Sequence, residues 1–263
     1  MRPEDLPGIR AISLATDQPE TESGAEAAYV ELVRETGRAV VAVDGAEVLG
    51  WAGEVPTPSG TLLSDLFVDP AVHARGVGTA LLKGLWPHAA GGRYTFSSKH
   101  PAALPLYARA GLVPSWPLLY LSGPIGRLPL GVLRVEKVDA RTAAAAAARL
   151  TGWSRPRTAL FDYWARDASA LIVRDGTRLV AAGAGSPTVL THLTCPDRGF
   201  AAGALFAAVA ALGGDWLACC LPGPHPAVRT LLAAGFRIDD FDLHVRTPDV
   251  TVPVSWAYAP GLG

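Results

Sequence analysis

Two stretches of the chain share one pattern of apolar and polar positions. AVVAVDGAEVLGWAGEV (39–55) and ALIVRDGTRLVAAGAGS (170–186) are each a pair of apolar runs joined across an Asp-Gly dipeptide. Asp44-Gly45 and Asp175-Gly176 therefore predict a β-hairpin in both places. A strand-like run follows each, TLLSDLFVDP (61–70) and TVLTHLTCPD (188–197). Helical runs come next, GVGTALLKGLW (76–86) and FAAGALFAAVAAL (200–212). In the first of these, Val77, Ala80, Leu81 and Leu85 fall at i, i+3, i+4 and i+8. HPAALPLYARAGL (100–112) then answers HPAVRTLLAAGF (225–236), and SWPLLYLSG (115–123) answers DDFDLHVRT (239–247). One order of elements, met twice, predicts an internal duplication.

Each copy also opens with helical material. Residues 25–36 place Tyr29, Val30, Leu32 and Val33 on one side, with Gly37 as a stop. TAAAAAARL (142–150) and TALFDYWARD (158–167) do the same for the second copy. The Gly- and Pro-rich link GPIGRLPLG (123–131) sets a boundary, giving two tandem α+β (mixed α/β) units over 1–125 and 126–263. The second copy has an opening strand, GVLRVEKVDA (131–140), which the first lacks. The tail VTVPVSWAY (250–258) has strand composition and no counterpart, so it is expected to supply or cross the missing edge near the first half.

Composition narrows the class. The chain has 263 residues, 49% hydrophobic and 18% charged, with a net charge of −1. That is enough apolar material for large cores and too little net charge to recruit nucleic acid or an anionic membrane. No apolar run is long enough to span a bilayer, and MRPEDLPGIR is not a signal peptide, so a soluble cytoplasmic protein is expected. Cys195, Cys219 and Cys220 form neither a disulfide framework nor a metal-ligand spacing, and they suit buried free thiols. No metal is expected.

The chemistry concentrates at residues 67–86, FVDPAVHARGVGTALLKGLW, where Arg75-Gly76-Val77-Gly78 sits between a strand and an amphipathic helix. The first helical amides, Val77 to Ala80, have no intrahelical acceptors, and the positive end of the helix dipole adds to them. Gly76 and Gly78 keep side chains off that backbone and Arg75 adds a cation, which together make a cradle for a phosphate or diphosphate. Close strand–helix packing is the plainer use of the same glycines. A dinucleotide fold wants a further glycine where this chain has Leu81, and no Gly-Lys-Ser/Thr follows.

LFVDPAVHARGVGTALL resembles the acetyl-CoA signature of the GCN5-related N-acetyltransferases, the GNAT family, through Leu66, Val68, Pro70, Gly76 and Gly78. His73 stands where that family usually has Gln or Arg. The family's second element, Asn-x-x-Ala-x-x-Leu-Tyr-x-x-x-Gly-Phe, is met by His100, Ala103, Leu106, Tyr107, Gly111 and Leu112, with His100 in place of Asn and Leu112 in place of Phe. The resemblance covers most of residues 3–123. It implies, for each unit, a mixed, mainly antiparallel sheet flanked by helices, and acetyl-CoA as co-substrate. Leu66, Phe67 and Val68 would hydrogen-bond the pantetheine arm, as an added strand would. Arg75, Gly76, Val77, Gly78, Thr79 and Ala80, with His73 and His100, would hold the rest of the cofactor. Tyr107 would protonate the leaving thiolate, and Asp65 or Glu54 would take the proton of the incoming amine. Asp65 also suits a solvated or capping position, His100 a local backbone hydrogen bond, and Tyr107 a half-buried helix face.

The second copy lacks these features. CPDRGFAAGALF keeps Gly199 but no Gly-x-Gly turn, and Leu231 stands where Tyr107 does. It reads as a degenerate copy that stabilises the first half and shapes an acceptor pocket. Asp239, Asp240 and Asp242 would either attract a cationic acceptor or serve as a solvated strand edge. Trp51, Trp116 and Tyr120 are core or pocket residues. The expected activity is transfer of an acetyl group to an amine of a small molecule or peptide in a ternary complex, since no Cys or Ser is placed as a nucleophile. The alternative is a non-catalytic acyl-CoA-binding or scaffold protein.

Overall fold

A computed structural model describes residues 1–16, 26–86, 91–129 and 131–263. Contacts divide the chain into two units: Met1–Val113 with Val245–Val250 and Leu262, and Pro114–His244 with Thr251–Gly261 and Gly263.

The first unit is built on helices α1 (Leu6–Ala15) and α2 (Glu26–Thr36), strands β1 (Arg38–Asp44), β2 (Glu47–Thr57) and β3 (Gly60–Val68), helix α3 (Val77–Leu85), strand β4 (Arg93–Ser97) and helix α4 (Ala103–Arg109). β1, β2 and β3 run antiparallel, and β4 pairs parallel with β3. Gly45 turns the first hairpin at φ +60°, the left-handed conformation that an Asp-Gly turn requires. Successive residues of a strand point to opposite faces, and β2 shows the consequence. Trp51 packs with Ile9 of α1 and Val30 of α2. A Cβ on neighbouring Gly50 would instead meet Leu81 of α3 at 3.1 Å. Helices therefore cover both faces, and Trp51 is core.

The second unit comprises β5 (Val113–Pro124, from Pro114 on), β6 (Arg134–Val138), α5 (Ala140–Thr151), α6 (Thr158–Trp164), β7 (Ser169–Asp175), β8 (Arg178–Gly185), β9 (Val189–Thr194), α7 (Arg198–Leu212), β10 (Trp216–Pro222), α8 (Val228–Ala234) and β11 (Arg237–Arg246, to His244). Its strands are ordered β11-β5-β10-β9-β8-β7-β6. Only β9 and β10 among the pairs with a recorded register run parallel. The alanines of α7, with Leu205 and Val209, pack on Leu171, Val173, Val180 and Leu190. Small side chains let that helix approach the sheet closely.

The duplication is visible in backbone detail. In the first unit the register steps from Gly53↔Asp65 to Glu54↔Leu63, skipping Ser64. In the second it steps from Ala184↔His192 to Gly185↔Leu190, skipping Thr191. A bulge at the same place in both copies pairs Asp65 with His192 and Glu54 with Gly185, so both candidate carboxylates of the first copy are lost in the second.

Two segments pair differently from their order in the repeat. β5, the last strand of the first copy, pairs antiparallel with β10 from Trp216↔Pro124 to Pro222↔Leu118. Conversely, Val245–Val250 joins the first unit, where Thr247 N donates to Arg93 O at 2.8 Å. A boundary at 125/126 and the division by contacts thus differ over these two segments. The tail needs a correction as well. Residues 250–258 do not give the first half an edge, because only Val250 lies there and Thr251–Gly261 belongs to the second unit. Strand composition does not specify a neighbour. No described helix is long and apolar enough to cross a membrane.

Candidate active site

β3 and β4 stay together for two residue pairs only, Thr61↔Arg93 and Leu62↔Tyr94, before Thr95 Oγ1 donates to Leu63 O at 2.8 Å. Beyond that point the strands part around a cleft of about 540 Å³. Leu66, Phe67 and Val68 line one wall, and Ser98, His100 and Tyr107 line the other. Gly76 to Thr79 close one end, and Val72, His73, Ala74, Thr16, Leu106 and Arg109 are also among the lining residues.

A chain of local bonds shapes the turn before α3. Asp69 Oδ1 accepts from Ala71 N at 2.8 Å, capping the short 3-10 turn Pro70–Val72. His73 Nε2 lies 3.0 Å from Val68 O; a carbonyl only accepts, so the ring donates from Nε2 and ties the loop to β3. Gly76 then caps α3 at φ +86°, with no side-chain cap. The amides of Val77, Gly78 and Thr79 consequently lack intrahelical acceptors at the end of the cleft. Ala80 is a correction: its amide donates to Gly76 O at 3.0 Å, and the residue does not line the cleft.

The two glycines have different reasons. Gly76 needs the left-handed conformation, and a Cβ there would meet nothing within 4 Å. Gly78 needs space, because a Cβ would stand 3.3 Å from Leu106 Cδ2. Close packing of α3 against α4 therefore accounts for Gly78, with Leu66 and Val68 of β3 at ordinary contact distance, while the turn accounts for Gly76.

His100 Nδ1 accepts from Ala102 N at 3.3 Å, which places the ring's proton on Nε2 in the neutral form. The His73 and His100 rings meet edge to face with centroids 5.5 Å apart. Tyr107 is 7% exposed, on the wall of the cleft. Arg75 is exposed and outside the lining. Arg109, the last residue of α4, brings a cation to the cleft that the local motif around α3 does not signal, because only the placing of α4 carries it there.

Neither candidate base lines the cleft. Asp65 directly precedes Leu66, and its Oδ2 accepts from Tyr29 OH at 2.7 Å. Glu54 accepts from Trp86 Nε1 at 2.8 Å. Burial pushes its carboxyl above the usual range, against the opposing effects of the Trp86 bond, Arg38 and Arg93. Trp86 follows the last residue of α3, so Glu54 is bonded at the opposite end of that helix from the Gly76 turn.

In the second unit, Tyr120 OH donates to Asp242 Oδ2 at 2.6 Å and Arg237 pairs with Asp239 at 2.7 Å, so both carboxylates have local partners. Trp116 stacks on His244 with centroids 4.2 Å apart. The three thiols are free and all are raised by burial, Cys195 and Cys219 to about 12. None is activated as a nucleophile.

Residues 35–113 match the family model described as an acetyltransferase (GNAT) domain. That span runs from the end of α2 to the first residue of β5 and includes every cleft residue except Thr16. No curated protein matches the sequence. Among solved structures, a provisionally assigned acetyltransferase from Pyrococcus horikoshii superposes with a TM-score of 0.70 at 15% identity, over 100% of this chain and 92% of that one. GCN5-related N-acetyltransferases from Anabaena variabilis and Sphaerobacter thermophilus follow. The first has TM-score 0.64, 12% identity and coverage of 93% and 70% of the two chains. The second has TM-score 0.54, 18% identity and coverage of 97% and 96%. At such identities the likeness is one of fold.

Proposed function

From the GNAT acetyltransferase domain at residues 35–113 and the open cleft inside it, we propose that the protein is an N-acyltransferase. It moves an acetyl group from acetyl-CoA to an amine of a small molecule or peptide by direct transfer in a ternary complex. The observation that carries this reading is the cleft itself. Three helix amides without acceptors stand at one end, a phenol stands in the wall, and a strand has parted from its neighbour between them.

The residues take the following parts. Acetyl-CoA supplies the activated acyl group. The amides of Val77, Gly78 and Thr79, with Arg75 and Arg109 as nearby cations, hold the diphosphate. Backbone groups of Leu66 to Val68 pair with the amides of the pantetheine arm, and His100 offers its Nε2 proton to the same chain. Asp65 takes the proton of the amine, directly or through a water, as the nitrogen attacks the thioester carbon. Tyr107 returns a proton to the departing sulfur, so the acyl–sulfur bond breaks to a neutral thiol. Asp65 is favoured over Glu54 because it adjoins Leu66, whereas Glu54 bonds Trp86 at the other end of α3.

The test is release of free thiol from acetyl-CoA across a panel of amines. Acceptor-dependent release is expected. CoA binding with no release on any amine would leave only a cofactor-binding protein.

A further inference from the structure

The second copy has the same parted strands, and its own chain fills the gap. β9 and β10 pair parallel only at Ala218↔Val189 and Cys219↔Leu190, as β4 and β3 pair only at Arg93↔Thr61 and Tyr94↔Leu62. Into the space beyond comes the C-terminal segment. Leu193 N donates to Ala257 O at 3.1 Å, and Ala257 N returns a bond to Leu193 O at 3.0 Å. On the other side Tyr258 N donates to Cys220 O at 3.0 Å. Leu193 follows His192 as Leu66 follows Asp65, so it is the counterpart of the residue proposed to pair with pantetheine.

Two further contacts repeat the comparison. His225, the counterpart of His100, accepts from Ala227 N on Nδ1 at 3.1 Å, as His100 accepts from Ala102. Its Nε2 donates to Ser255 O at 3.2 Å, a carbonyl of the inserted segment. At the helix, α7 is capped by Asp197, whose Oδ1 accepts from Gly199 N at 2.9 Å. α3 has no side-chain cap at that place. Ser255 to Tyr258 are all 5% exposed or less.

Backbone groups buried where two strands part must find partners. We infer that the second groove is a strand-binding site whose ligand is the protein's own C-terminal segment, Ser255–Tyr258. Asp197 supplies the anion at the adjacent helix. The second copy is self-liganded, takes no acyl-CoA, and leaves the chain with one cofactor site. The cofactor count rests on the function proposed above; the self-occupied groove rests on the bonds just described.

Hydrogen exchange on the full chain, without and with acetyl-CoA, tests this. The amides of Leu193, Ala257 and Tyr258 should exchange at least about 100-fold more slowly than free peptide, as protected native amides do. Acetyl-CoA should slow residues 66–68 and 77–79 and leave those three unchanged. Ala257→Pro removes the bond to Leu193 O and should lower the Tm of the second unit by about 3–8 °C. Free-peptide rates at Ala257 and Tyr258, or new protection there on adding acetyl-CoA, would overturn the inference. Slow tail amides with no response at 66–68 would instead count against the proposed function and leave the self-liganded groove standing.

Discussion

The two copies of one fold treat the same backbone geometry in opposite ways. Both part a parallel strand pair after two residues, and both bring a helix N-terminus and a histidine two residues before a bonded amide. In the first copy the cleft stays open, Gly76 leaves α3 without a side-chain cap, and Tyr107 lies in the lining. In the second copy a peptide segment pairs with Leu193, a carboxylate caps α7, and Leu231 is buried in the core. A binding site keeps polar backbone groups for something that is not part of the chain. Once binding is no longer needed, satisfying those groups internally stabilises the fold. Under the proposed function, the difference between the copies is a difference in who supplies the hydrogen bonds.

Four experiments sharpen that contrast. The largest effect should come from Tyr107→Phe, which keeps the ring and removes the proton. Turnover should fall roughly 10- to 10³-fold while acetyl-CoA affinity stays within a few-fold. Unchanged kcat would reduce Tyr107 to a residue that fills space.

The next concerns pH. Among the described residues every buried histidine lies in the second unit. Burial, with Arg157 adding to it, lowers His192 to about 3. Burial also lowers His225 to about 4, although its bond to Ser255 works the other way. Unfolded histidine titrates near 6.5, so below that pH the unfolded chain binds more protons than the folded one. Stability of the second unit should be complete above about pH 6.5 and fall as the pH drops, through about 4 for His225 and about 3 for His192. The slope should be up to about 1.4 kcal/mol per pH unit for each ring. Urea melts from pH 7 to 4 read it, and a flat profile would contradict the buried neutral rings.

Smaller again is Gly76→Ala, which forces a Cβ into φ +86°. It should destabilise the first unit by about 1–2 kcal/mol and weaken acetyl-CoA binding. Gly78→Ala should cost less, since the Leu106 side chain it meets is able to shift. Equal effects of the two would mean that the turn is not held as described. Last, Asp197→Ala should cost the second unit about 1 kcal/mol for a lost cap, because its exposed pair with Arg178 adds little. Acetyl-CoA binding should not change, and altered affinity would argue that α7 does take part.

Much of this was readable from the chain because it is local. Asp44-Gly45 and Asp175-Gly176 specify hairpins through two residues each, and Gly76 announces the start of α3 within one turn. The order of elements, met twice, exposed the duplication and the loss of Tyr107's counterpart. What depended on distant pairing was not readable. Nothing in SWPLLYLSG says that β5 will bond β10, or in VTVPVSWAY that its last four residues will enter the second groove, since register and neighbour are set by tertiary contacts. Arg109 reaches the cleft through the placing of α4, and Glu54 is drawn to Trp86 across the first unit. Gly78 looked like a residue that admits an anion, but its close approach to Leu106 came only with the helix in place.

Titration calorimetry of acetyl-CoA into the full chain tests the central claim most directly. One saturable site per chain, weakened by Gly76→Ala, is the result expected of an open first cleft. An absence of heat would contradict it.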